Sequence, residues 1–157
     1  MLPDLVLLNR RAALAALLLL IASAIPGLAQ TKPDLPANDL SGEWRGSWTS
    51  PSGYLFTTTL TLQAAADGTV NGAFVWTLRR SPLPEEQRKI GMAATEYIAG
   101  RFDAAAGTLV VAGTRKDDPH DVIFTDRYRL VIADSGRTMG GLSRNLGDWD
   151  GQLFLTR

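Results

Sequence analysis

The chain has 157 residues with 16 basic and 16 acidic side chains, and it contains no cysteine. Nucleic-acid binding requires a concentrated positive field, so this balance argues against a nucleic-acid partner and against a strongly charged membrane surface. Without cysteine no disulfide can hold the fold, so a closed hydrophobic core must stabilise it instead.

The first 29 residues have the pattern of a signal peptide. A pair of arginines precedes an apolar stretch at 12–25, and the small residues Gly27 and Ala29 are spaced as at a signal-peptidase site. The stretch is short for a membrane span of about 20 residues, and no cysteine follows it for lipid attachment. We therefore predict a periplasmic or secreted protein without an integral membrane segment, whose mature chain begins at Gln30.

The remaining chain divides into a leader and one domain. Residues 30–40 carry two prolines among polar neighbours and are predicted to be extended. Residues 41–157 are enough to bury one core, and apolar residues recur there at every second position. This alternation is typical of half-buried β-strands.

The alternation predicts eight strands in chain order. The first strand places Trp44, Gly46 and Trp48 on one face, the second follows a turn at 51–53, and the third follows the hairpin signal Asp67-Gly68. The other five strands are predicted at 94–103, 108–116, 122–133, 138–144 and 148–156.

The connections between these strands indicate how they are arranged. Pro84, two glutamates and then Gly91 predict a single short helix at 82–90, between the third and fourth strands. The other connections are too short for parallel crossovers. We therefore predict an all-β fold, an eight-stranded antiparallel up-and-down barrel, with a two-sheet sandwich as the main alternative.

Short motifs at both ends of the domain resemble one group of barrels. The first strand opens with Gly-x-Trp at 42–44, and the last strand closes with Gly-x-Leu-x-Leu-x-Arg at 151–157. These motifs are similar to those of the calycin group, which includes lipocalins, avidins and bacterial inhibitors of serralysin-type metalloproteases. The resemblance implies a closed barrel with Trp44 as its floor plug. The inhibitors also imply a leader that enters a protease cleft, here at 30–33.

The alternation of side chains along each strand predicts which of them face the barrel interior. An eight-stranded barrel has room for a filled core or for one small ligand. We predict a ligand wall of aromatic residues with three polar side chains among them. The aromatic members are Trp44, Trp48, Phe74, Trp76, Phe102, Tyr128 and Trp149, and the polar members are Glu96, Arg115 and Asp126.

Two interpretations of these residues stay open at this point. The aromatic side chains can form an ordinary packed core, because aromatic residues in strands usually do. Glu96, Asp126 and Arg115 can orient a polar ligand group, or they can form a structural ion pair that closes one end. Of the two tryptophans in the first strand, Trp48 is the one expected to contact a ligand.

The residues give little support to catalysis. His120 is the only histidine, and it lies in an acidic, proline-containing turn typical of a loop rather than of a metal site. With one histidine and no cysteine, a nucleophilic triad has few candidate members. We therefore predict no enzymatic activity, no cofactor and no bound metal.

Three functions are consistent with the sequence. The first is an exported barrel that binds a small, partly apolar ligand in its interior. The second is a periplasmic protease inhibitor or another interaction module that acts through its leader or its barrel rim. The third is a barrel with a filled core and a purely structural or partner-binding role.

Overall fold

The structure is a computed structural model that describes residues 35–157. The predicted signal peptide at 1–29 and the start of the leader at 30–34 lie outside the described residues. Eight strands are present: β1 (Gly42–Thr49), β2 (Leu55–Ala64), β3 (Thr69–Arg80), β4 (Ala93–Asp103), β5 (Thr108–Asp117), β6 (Arg127–Ala133), β7 (Thr138–Arg144) and β8 (Gly151–Thr156). Three short 3-10 helices accompany them: η1 (Ala37–Leu40), η2 (Pro84–Lys89) and η3 (Asp134–Gly136).

The eight strands form one closed antiparallel barrel. Each strand pairs with its neighbours in chain order, and β8 returns to pair with β1, so that Trp48 lies opposite Leu153 on one side and opposite Phe56 on the other. The prediction of an up-and-down barrel is therefore confirmed, and the sandwich is excluded. Closure leaves no strand edge unpaired, which removes the main aggregation risk of a sheet.

Alternating connections give the barrel two different ends. The hairpins β2–β3, β4–β5 and β6–β7 lie at one end, which we call the closed end because η1 also packs there against β2. The connections β1–β2, β3–β4, β5–β6 and β7–β8 lie at the other end, which we call the open end. Among the described residues no helix is long and apolar enough to cross a membrane.

Trp44 fills the closed end. Its side chain has no exposure to solvent, and its indole Nε1 donates a 3.0 Å hydrogen bond to the carbonyl of Leu40. The guanidinium of Arg157 lies 4.6 Å from the centre of the indole ring and also donates to the carbonyl of Asp39. A cation over an indole face is attracted by the ring quadrupole, so the last residue of the chain stabilises this plug.

The end of the leader differs from the prediction of an extended segment. Residues 37–40 form η1, in which the backbone N–H of Asp39 donates to the carbonyl of Pro36. Leu40 is fully buried in the barrel core. Burial of this side chain holds a turn that the prolines and polar neighbours did not predict.

Two strands are shorter than predicted. β6 begins at Arg127 instead of residue 122, because the backbone N–H groups of Val122 and Ile123 donate to the carboxylate of Asp118 and not to a neighbouring strand. β8 begins at Gly151, since the backbone of Asp150 turns back to bond with Asp148. The predicted helix is present as the 3-10 helix η2.

Candidate functional site

A cavity of about 310 Å³ opens at the open end of the barrel. All four connections of that end contribute to it, together with the last inward residues of the strands. It is lined by Trp48, Ser50, Ser52, Tyr54, Phe56, Trp76, Glu86, Asp121, Val122, Ile123, Phe124, Asp126, Ser143, Arg144, Asn145 and Asp150.

Aromatic rings form the inner wall of this cavity. Trp48 and Phe56 meet edge to face with their ring centres 5.7 Å apart, and Phe56 meets Trp76 in the same manner at 6.3 Å. Tyr54 stacks on Phe56 from the rim, with 6.5 Å between the ring centres. Such contacts are favourable beyond simple burial, so the rings hold one another in place and present a preformed apolar surface.

Phe74 and Tyr128 close the cavity from below instead of lining it. Phe74 stacks on Trp76 with ring centres 4.7 Å apart, and Tyr128 lies 5.1 Å from Phe74 and 6.4 Å from Trp76. All three side chains are buried. Buried side chains therefore fill the interior directly below Trp76, and the cavity lies above that level.

Glu96 lies beneath the cavity floor with no exposure to solvent. Its carboxyl accepts hydrogen bonds from Tyr128 Oη at 2.5 Å, from Trp76 Nε1 at 3.1 Å and from the backbone N–H of Asp126 at 2.7 Å. Burial raises the pKa of Glu96 from its ordinary value of 4.5 to about 7, against the opposing effect of these three donors. Glu96 thus orients three of its neighbours at the cavity floor.

Asp126 and Ser143 connect the floor to the cavity wall. Ser143 Oγ donates to Asp126 Oδ2 at 2.7 Å and accepts from Trp48 Nε1 at 2.8 Å. Burial raises the pKa of Asp126, the charge of Asp150 raises it further, and the Ser143 hydrogen bond opposes both. The hydroxyl therefore fixes the orientation of the indole that faces the cavity.

The segment between β5 and β6 forms one side of the rim. Asp118 accepts from the backbone N–H groups of Val122 and Ile123 at 2.9 and 3.0 Å, and Lys116 Nζ lies 3.1 Å from the same carboxylate. Although burial by itself would raise the pKa of Asp118, these donors lower it. Phe124 lies at the rim and is 68% exposed.

Arg115 does not point into the barrel, which corrects the prediction from strand parity. A β-bulge places Tyr97 opposite Arg115 and the next residue, Ile98, opposite Gly113, so that Thr114 is an extra residue in β5. A bulge reverses the alternation of side chains beyond it. The Arg115 guanidinium therefore lies on the outer face, 3.4 Å from the centre of the Tyr97 ring, and Tyr128 and Trp76 bond Glu96 in its place.

Trp149 is the second predicted wall residue that lies outside the barrel. It precedes the first residue of β8, so the alternation of that strand does not extend to it. Its ring packs on the outer face, with the guanidinium groups of Arg129 and Arg144 at 5.5 and 5.0 Å from the ring centre.

The structure therefore separates the ten predicted wall residues into four groups. Trp48, Trp76 and Asp126 line the cavity. Phe74, Glu96 and Tyr128 lie directly beneath it, Trp44 and Phe102 are buried towards the closed end, and Arg115 and Trp149 face outward.

The sequence prediction missed most of the polar rim residues. Ser50, Glu86, Ser143 and Asp150 are far apart in the chain and lie in or beside the four connections of the open end. The prediction assigned Glu86 to the short helix, assigned Ser143 and Asp150 to strands, and gave none of the four a place in the site. The signal that could have identified them is topological, because alternate connections of an up-and-down barrel share one end. Polar residues in the first, third, fifth and seventh connections were therefore bound to converge.

The polar groups of the cavity do not form a metal-binding cluster. Within residues 35–157 no group of three or more histidine, aspartate or glutamate side chains is arranged to hold a metal ion.

Comparisons of the chain with family models, curated proteins and solved structures yielded no match. The fold and the site define the chain as a closed eight-stranded up-and-down β-barrel with an aromatic-walled cavity at one end.

Proposed function

We propose that this chain is a non-enzymatic, calycin-like binding protein that holds a small, partly apolar molecule in the cavity at the open end. The observation that carries the proposal is the cavity between Trp48, Phe56 and Trp76 above a filled floor. Its volume of about 310 Å³ is at the lower end of the range of small-molecule sites.

Pre-organisation of the wall supports this proposal. Trp48 is held by its hydrogen bond to Ser143, and Trp76 by its bond to Glu96. A site that is ordered before binding loses less conformational entropy when the ligand enters. The wall therefore has the properties that favour a binding function over the packed-core alternative.

The position of the buried carboxyl favours binding over catalysis. Glu96 has a pKa near neutrality, as a general acid or base requires. Three donors from the protein already surround it, and it lies below the floor formed by Trp76. A ligand in the cavity contacts the aromatic rings and Asp126 before it reaches this group.

The proposed location of the protein is the periplasm or the extracellular space. Its support is the predicted signal peptide at 1–29. A barrel without cysteine needs no oxidative folding step in either place.

Substitution of Trp48 tests the binding proposal. A panel of small apolar and amphipathic molecules is screened by intrinsic tryptophan fluorescence, and the Kd of each binder is measured by calorimetry. We expect Trp48→Ala to weaken Kd at least tenfold, because about 1.4 kcal/mol of contact energy is lost with the indole. Phe154→Ala, on the exposed outer face of β8, is the matched aromatic control and should leave Kd unchanged. No binder in the panel, or an unchanged Kd in Trp48→Ala, would contradict the proposal.

A further inference from the structure

The charges around the cavity have mostly one sign. Four of the lining residues carry carboxyl groups, and one, Arg144, carries a positive charge. The guanidinium of Arg144 lies over the Trp149 ring on the outer face of the barrel. The lining as a whole is therefore acidic although the whole chain is close to neutral.

Two of the four carboxylates already have a cation nearby. Glu86 lies 3.8 Å from Lys89 Nζ, and Asp121 lies 3.6 Å from Lys116 Nζ. Their charges are thus compensated within the protein.

The other two carboxylates are close enough to affect each other. Asp126 and Asp150 form no ion pair within residues 35–157. Burial is the largest cause of the raised pKa of Asp126, and the charge of Asp150 raises that pKa further. A positive group between them would relieve this repulsion, whereas an anion would increase it.

The aromatic wall has the same charge preference as these two carboxylates. The faces of tryptophan, tyrosine and phenylalanine rings are negative and attract ammonium groups. Trp48, Phe56 and Trp76 line the cavity together with Asp126. Among the described residues that line the cavity, an anionic ligand would meet only Arg144 as a positive partner.

We propose that the ligand of this cavity is an organic cation, an amine or quaternary ammonium group on an apolar body of about the size of two fused rings. The charged group lies between Asp126 and Asp150, and the apolar body lies against Trp48, Phe56 and Trp76. This inference rests on the proposed binding function and adds the charge of the ligand to it.

Three probes of one shape test the inference. They are (2-naphthylmethyl)trimethylammonium, its neutral analogue 2-naphthylmethanol and the anion 2-naphthoate, each titrated into the mature protein by calorimetry at pH 7.5 and low salt. We expect the cation to bind at least tenfold more tightly than the neutral probe, and the anion to bind most weakly.

Removal of each carboxylate identifies the source of the preference. Asp150→Asn and Asp126→Asn should each weaken binding of the cation about three- to tenfold and leave the neutral probe unchanged. Asp150→Asn keeps the test valid if Asp126→Asn fails to fold, because Asp150 is exposed at the rim. The matched control is Glu43→Gln, an exposed carboxylate on β1 towards the closed end, which should change no affinity.

The outcomes separate this inference from the function on which it rests. Equal affinity for the cation and the neutral probe, or a preference that is undiminished in both aspartate variants, overturns the cation proposal and leaves the binding function in place. Binding of the anion as the tightest probe also overturns it. Failure of all three probes to bind overturns both proposals.

Discussion

Glu96 is a carboxyl group with no exposure to solvent, and its three donors come from three different strands or segments. Isolated charges are costly to bury, so they occur where hydrogen bonds compensate them. In this barrel the donors reduce the cost of the charge without removing it, because burial still raises the pKa to about 7. Stability should therefore depend on pH in a range where most carboxyl groups no longer titrate.

The sign of this dependence follows from the direction of the shift. The folded protein binds the Glu96 proton more tightly than the unfolded chain, whose ordinary pKa is 4.5. The contribution of Glu96 is thus fully favourable below about pH 4.5 and is lost as the pH rises through 7. The loss amounts to about 3 to 4 kcal/mol, since one pH unit corresponds to about 1.4 kcal/mol.

Glu96→Gln should remove this part of the pH dependence. The amide resembles the protonated acid in shape and carries no charge, so we expect the free energy of unfolding to be nearly flat between pH 5 and 8. Urea denaturation at several pH values measures the effect, with the exposed Glu43→Gln variant as the control that keeps the wild-type slope. A slope that is the same in wild type and Glu96→Gln would show that another group is responsible.

At the scale of single elements, the segment from Asp118 to Asp126 determines the shape of the rim. Asp121 has a positive φ of 51°, which only a few non-glycine residues adopt, and the carboxylate of Asp118 holds the turn by accepting from two backbone N–H groups. The turn places Val122 and Ile123 on the cavity side. A single side chain thus positions one wall of the site.

Asp118→Asn should loosen this wall while the barrel stays folded. The neutral amide is a weaker acceptor than a carboxylate, so we expect a loss of about 1–2 kcal/mol in the free energy of unfolding. Faster hydrogen exchange at the amides of Val122 and Ile123 and a several-fold weaker ligand Kd should accompany it. Asp117→Asn, one residue earlier and exposed, is the matched control, and equal exchange rates in the two variants would contradict the assigned role.

For the whole molecule, the two ends of the barrel carry different features. The described part of the leader packs at the closed end, where Arg157 bonds to Asp39 and Leu35 lies against the core. The cavity lies at the open end, between the connections β1–β2, β3–β4, β5–β6 and β7–β8. The described end of the leader and the cavity therefore lie on different surfaces of the barrel.

Deletion of residues 30–34 distinguishes these surfaces. We expect the shortened protein to bind small molecules with a Kd within about twofold of wild type, because the described end of the leader packs at the closed end and contributes no residue to the cavity wall. A protease inhibitor that acts through its leader would instead lose inhibition, measured against a metalloprotease panel. Loss of small-molecule binding in the deletion variant would mean that the leader contributes to the cavity.

The sequence by itself determined the strands and their order, and it favoured closure into a barrel over a two-sheet sandwich. Alternation is a local property, and hairpin signals such as Asp67-Gly68 act over a few residues, so both can be recognised without knowledge of the rest of the fold. Trp44 as the floor plug was implied by the resemblance of the motif at 42–44 to the first strand of calycin barrels. Trp48, Trp76 and Asp126 were likewise assigned to the interior from parity, and they do line the cavity.

Only the tertiary structure decided where the alternation of inward and outward side chains ends and which connections lie together at one end of the barrel. The bulge at Thr114 turns Arg115 outward, and the absence of strand pairing before Gly151 leaves Trp149 on the outer face. Both depend on hydrogen bonds between strands, which no single segment of sequence reveals. Ser143 and Asp150 likewise became part of the site because barrel closure brings distant connections to one end.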